Sequence, residues 1–136
     1  MSDGTQETNF LTAETILGTD DIVIERLEIP EWKGHIFIKS MTGNQRDEWE
    51  THIVRSRDAA HRAVLLRGRL ACISACHEDG KPLFTMAQIT EVGKKNARAL
   101  NRIFDASTKL NGLTKEEIES LEKNSDAAPS EDSGSS

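Results

Sequence analysis

Residues 79–117 read DGKPLFTMAQITEVGKKNARALNRIFDASTKLNGLTKEE, and this stretch decides the fold. It opens with an Asp79-Gly80 turn. Thr85 is placed as a helix N-cap and Gln88, three residues on, as its reciprocal partner. Phe84 and Ile89 are placed as the hydrophobic staple that fixes the entry of the chain. Gly93 interrupts. The spacing then predicts a second helix with Ala97, Leu100, Ile103, Phe104, Ser107 and Leu110 on one face, closed by Asn111-Gly112. The start signal repeats at Thr114, with Glu117 in the box and Leu113 and Ile118 in the staple. These are signals for packing short helices. None of them supplies a nucleophile, a metal cage or a phosphate loop.

Working outward, Thr12 caps a short helix with Leu11 and Ile16 as staple, and Gly18 ends it. From Asp21 to Ile29 the chain alternates, with Val23, Leu27 and Ile29 on one parity, as a strand does. Pro30–Gly34 is a turn. His35–Lys39 forms a second strand with Ile36 and Ile38 on one face, so the two strands make a hairpin that helices must cover. Thr42 and Gln45 make another capping box, opening a helix through about Arg55 that points Trp49 and Ile53 inward. Ser56–His77 is expected to be the longest helix. Its first half is Arg-rich. Its second half, Leu70–Cys76, is apolar on nearly every side, which makes it the expected central element of the core.

The chain has 136 residues, enough for one core, but hydrophobic residues are 36% and aromatics only 4%, so that core must be aliphatic and modest. No apolar run approaches ~18 residues, and no membrane span is expected. The first residues lack the basic and apolar regions of a secretory signal. Two cysteines, Cys72 and Cys76, fall in one predicted helix and suit neither a loop-closing disulfide nor a secreted scaffold. The net charge of −6 is uneven: residues 1–31 and 115–136 are acidic, while 32–114 are basic. Such segments either serve as solvated faces or pair within and between chains, so self-association belongs among the partners to test.

Candidate chemistry is thin. Cys72, Cys76 and His77, with His35, His52 and His61, invite a metal reading. A Cys-x3-Cys inside an apolar helix is more simply two small buried hydrophobes. Neither cysteine stands at a predicted helix N-terminus, and His77, directly after Cys76, diverges from it on a helix. Asp47, Glu48 and Glu50 flank Trp49, a pairing of acids with an aromatic platform that sugar-processing sites use, but acids are favoured in the first turns of a helix for reasons of the dipole alone. Arg55, Arg57, Arg62, Arg67 and Arg69 form an electrostatic footprint for nucleic acid. Against that stand a pI near 5.2 and the lack of interleaved aromatics for stacking. Gly93-Lys94-Lys95 lacks the rest of a phosphate loop.

The order of these elements resembles the small tail assembly chaperones of long-tailed, siphovirus-like bacteriophages. The resemblance rests on the acidic-Gly turn, Leu83-Phe84, "GKK" at 93–95, the run from Ala99 to Leu113 and an acidic final helix. Upstream it rests on "TAETIL" at 12–17, the segment from Ile29 to Glu50 and the Arg-rich helix after it. It covers roughly Leu11 to Asn124 and includes no catalytic signature. It implies a protein made in the host cytoplasm and typically absent from the finished virion. Such a protein binds the tape-measure protein and keeps its apolar helices soluble while tail-tube subunits polymerise around it. Many such genes also yield a longer, frameshifted product, which the chain end 124–136 would suit.

The expected fold is therefore α+β and mostly α, with an N-terminal β-hairpin packed on a compact bundle of about five helices. Residues 1–10 are expected to be a flexible lead, 11–123 a single domain, and 124–136 a disordered acidic, Ser-rich tail. The expected function is non-enzymatic: a phage tail assembly chaperone whose partners are the tape-measure protein and the major tail (tube) protein. It would need no catalytic residue, metal or cofactor. The alternatives are a structural virion or connector component, and a small nucleic-acid-binding regulator. Arg55, Arg62, Arg69, Ile118 and Leu121 are the candidate partner-contact residues. Trp49, Ile53, Leu66, Leu70, Ile73, Leu100, Ile103 and Phe104 are the expected core.

Overall fold

A computed structural model of the chain describes residues 9–56, 58, 62 and 64–121. The fold is α+β and mostly helical, with the hairpin near the N-terminus. Helix α1 (Ala13–Leu17) leads into strand β1 (Ile24–Ile29), a 3-10 turn (Pro30–Trp32) and strand β2 (Gly34–Lys39). β1 and β2 pair antiparallel from Ile24↔Lys39 to Ile29↔Gly34. The tight connection puts Lys33 in the left-handed region, at φ 56°, where its N–H donates to the Pro30 carbonyl at 3.0 Å. Alternation along β1 buries Ile29 and half-buries Leu27 while the other parity faces out.

Helix α2 (Gly43–Arg55) starts at the predicted capping box, with Gln45 N–H donating to Thr42 Oγ1 at 3.1 Å and Thr42 N–H to Gln45 Oε1 at 3.0 Å. The expected long helix over Ser56–His77 is not what forms. Ser56 is already extended, and helical backbone is described over a π-helical segment (Val64–Arg69) continuing into α3 (Leu70–Ser74). The chain then straightens: Ala75–Cys76 is β3, a third strand paired antiparallel with β2 through Phe37↔Cys76 and Ile38↔Ala75. All of Leu70–Cys76 is buried. Where every side is apolar, helix and strand periods look alike, so the sequence does not mark the switch. The reading of this segment as the central element holds; its extension as helix past Ser74 does not.

After a turn in which Gly80 adopts φ +91°, Thr85 and Gln88 form their capping box around a 3-10 turn (Met86–Gln88), which continues into α4 (Ile89–Gly93). Helix α5 (Ala97–Leu110) is capped by Asn96, whose Oδ1 accepts from Arg98 N–H at 2.9 Å and Ala99 N–H at 3.1 Å. Asn111 and Gly112 close it, Gly112 at φ +68°. Residues 115–121 form α6, opened by the reciprocal Thr114 and Glu117 hydrogen bonds of 3.0 and 2.8 Å. Residues 1–8 of the expected lead 1–10, the last two residues of the expected domain and the whole expected tail 124–136 lie outside the described residues, as do Arg57 and His61.

The core has two lobes divided by α3 and α5. One gathers Trp49, Ile53, Leu66, Leu70, Ile73, Phe104 and Leu113, with Met41, Ile118 and Leu121 against it. The other gathers Ile29, Ala71, Cys72, Val92, Ala99, Leu100 and Ile103 under the sheet, with Phe84 and Ile89 among its half-buried neighbours. All eight expected core residues are buried. One position on the α5 stripe differs: Ala97 is exposed and Ala99 takes the inward place. Among the described residues no helix is long and apolar enough to cross a membrane.

Candidate interaction site

Among the described residues the packing leaves open surface clefts, and α5 walls three of them. Leu27 and Glu25 of β1 face Arg102, Asp105, Ala106 and Lys109 across a groove of about 760 Å³. β1 is an edge strand, so α5 covers the sheet only partly there. A second cleft, about 380 Å³, lies where the π-helical segment, the end of α4 and the start of α5 meet. Its lining includes Arg67, Gly68, Gly93, Lys95, Ala97 and Leu100. Two glycines leave its walls without side chains, and Ala97 and Leu100 carry the apolar stripe of α5 out of the core into it. A third, about 310 Å³, runs between α5 and α6 beside Phe104, Leu113 and Ile118.

The predicted contact residues have divided fates. Arg55 is exposed at the end of α2 and shares a shallow groove of about 360 Å³ with Leu121. Ile118 and Leu121 are half-buried against their own core, so much of their apolar surface is already used. Arg62 Nη1 donates to the Ser56 carbonyl at 3.4 Å. Arg67 lays its guanidinium 4.8 Å from the Phe104 ring centroid while Nε donates to Asn101 Oδ1 at 3.0 Å. Arg69 turns inward far enough that its Nε is buried, with no hydrogen-bond partner among the described residues. The structure therefore brings Arg55 and Leu121 to one groove, whose lining includes neither Arg62 nor Arg69. The single arginine face drawn from the sequence is divided among different tasks.

The groups weighed for chemistry are also accounted for. Cys72 lies in α3 and Cys76 in β3, so they do not share a helical face; both are buried and free. Burial pushes the Cys72 thiol up to about 11 and raises that of Cys76, the direction that suppresses thiolate chemistry. Trp49 is fully buried with Nε1 donating to the Leu66 carbonyl at 3.3 Å, so it offers no platform beside Asp47 and Glu48. Glu50 accepts from Arg46 Nε at 3.0 Å. Among the described residues no three His, Cys, Asp or Glu side chains converge as metal ligands would.

One surface feature escaped the sequence reading. α1 is capped at both ends: Thr12 Oγ1 accepts from Thr15 N–H at 3.2 Å, and Gly18 N–H donates to the Glu14 carbonyl at 3.1 Å. Yet α1 buries none of its residues. Phe10 is 94% exposed and Leu17 85%, and the expected staple pair, Leu11 and Ile16, is more than half exposed. The signal was present as apolar pairs at both ends of a helix too short to carry a core of its own. Comparison of the chain with protein-family models, with curated proteins and with solved structures gave no match.

Proposed function

We propose that this protein is a non-enzymatic assembly chaperone for a phage tail, working in the host cytoplasm on the tape-measure protein in company with the tail-tube subunit. The observation that carries the reading is the position of α5. The helix that contains the core of the resemblance, Ala97–Leu110, is also the helix that walls three open clefts, each with apolar side chains on its floor. A long helical client exposes apolar stripes that aggregate unless covered, and shallow apolar grooves with charged rims are suited to covering them reversibly. Charged residues at the groove edges, Glu25, Arg102, Asp105 and Lys109, would set register more than affinity.

Co-expression is the direct test. The soluble yield of the cognate tape-measure protein should rise and the two should co-purify, whereas mass spectrometry of mature virions should show this chain depleted. Failure to bind either the tape-measure protein or the tube subunit, together with stoichiometric presence in the virion, would favour a structural component instead. A steep salt dependence of DNA binding would favour the nucleic-acid-binding regulator.

A further inference from the structure

We propose that the N-terminal arm Phe10–Leu17 is an exchange element: it docks into the basic cleft at the start of α5 on a second copy of this chain. Three observations converge on this. The first is an arm that lacks a partner. A single helical turn is not stable alone in water, and α1 has complete caps with no buried residue. Ala13, Ile16 and Leu17 share one face, with Phe10 and Leu11 just before it, so an apolar surface has been assembled and left open.

The second is complementarity. Residues 9–21 carry Glu14, Asp20 and Asp21 and no basic residue. Among the open clefts described above, only that at the start of α5 is lined by cations and no acid: Arg67 and Lys95, with Lys94 adjacent. Among the described residues none of these three cations is held in an ion pair. Its floor of Ala97 and Leu100 and its glycine walls admit one or two aliphatic side chains in about 380 Å³. The acidic tail from Glu122 has the charge for this site but no large apolar side chain to fill it.

The third is where the arm lies. Val23 is fixed to the sheet by its hydrogen bonds with Ser40, of 2.9 and 3.0 Å. Before it, Phe10, Leu11, Ile16 and Leu17 stay exposed, and none of residues 9–23 lines the cleft at the start of α5. The chain's own arm thus leaves that cleft open, and the occupant is the arm of a second copy. This goes beyond the chaperone reading and does not rest on it, since the assay below contains no client.

Sedimentation velocity of the full chain, from micromolar to near-millimolar concentration, tests the proposal. The wild-type average mass should rise with concentration and fall again at high salt. Leu17→Asp on the arm and Lys95→Glu at the cleft should each weaken association by at least about tenfold. Both sites are exposed, so thermal melts should not change. Adding Asp20→Lys and Asp21→Lys to Lys95→Glu should recover part of the loss, and a peptide of residues 9–21 should dissociate the wild-type oligomer. A chain that stays monomeric throughout would overturn the proposal. So would an oligomer indifferent to Leu17→Asp, or one sensitive to Leu17→Asp but not to Lys95→Glu.

Discussion

Ser74 and Ser107 meet in the centre of the molecule, Oγ to Oγ at 2.7 Å, both wholly inaccessible to solvent. The pair joins α3 to α5 between the two apolar lobes. Asn111 extends it: Nδ2 donates to the Ser107 carbonyl at 2.8 Å, and Oδ1 accepts from Met41 N–H at 2.7 Å. A hydroxyl buried without a partner loses its hydration with nothing in exchange, so Ser74 depends on Ser107, whose own Oγ also accepts from Asn111 Nδ2 at 3.4 Å.

Replacing one of them should therefore cost more than the lost hydrogen bond. Ser107→Ala is expected to lower stability by roughly 1–3 kcal/mol because the Ser74 hydroxyl is stranded. The double variant Ser74→Ala, Ser107→Ala should cost clearly less than the sum of the two singles. Urea melts of the four proteins measure that coupling, and strict additivity would show that the pair is not an energetic unit.

Leu70 is fully buried where the π-helical segment passes into α3. Leu70→Ala should cost roughly 2–5 kcal/mol, because transfer free energy is lost and the rigid surroundings cannot fully collapse. Leu110→Ala, at the half-buried end of α5, should cost well under that range. Equal thermal shifts for the two would contradict this picture of the core.

Glu31 accepts two hydrogen bonds from Arg102, 2.7 and 3.1 Å, tying the β1–β2 turn to α5. The Arg102 guanidinium, hydrogen-bonded to the carboxylate, holds the Glu31 carboxyl below its ordinary value. A depressed carboxyl pKa contributes stability above the unfolded-state value, near 4.5, and that contribution is lost as the pH falls through the lower folded-state value. Arg102→Ala should thus lower the melting temperature at neutral pH, and the gap from wild type should close in acid. Melts of both proteins between pH 7 and pH 3 check the sign; a gap that widens in acid would be inconsistent with it.

Burial and raised thiol pKa values should keep Cys72 and Cys76 unreactive toward a disulfide reagent in the folded protein. Modification should be roughly a hundredfold or more slower than in denaturant, because it requires opening of α3 and β3. A chelator should leave the helical circular dichroism unchanged. Zinc bound in proportion to protein, with loss of fold on its removal, would show a role for these residues that packing does not supply.

The sequence by itself determined what depends on neighbours within a few residues. The boxes at Thr42 and Gln45, Thr85 and Gln88, and Thr114 and Glu117 all form, because each closes over one turn and needs nothing from elsewhere. The hairpin and the stripe from Leu100 to Ser107 were legible for the same reason: a period repeated over enough residues fixes a face. Tertiary structure alone decided the rest. Ala75 and Cys76 became a strand because β2 offered them an open edge, and no local signal distinguishes a buried strand from a buried helix. Ser107 was placed inward by its spacing, but that its partner would be Ser74, 33 residues away, followed only from how α3 crosses α5. Arg55, Arg62, Arg67 and Arg69 were assigned different tasks by what came to lie beside them. The openness of α1 and of the cleft at Ala97 was likewise decided by which apolar surfaces the rest of the fold covered. Local hydrogen bonds and periodicity are written along the chain, whereas burial depends on neighbours that only folding brings together.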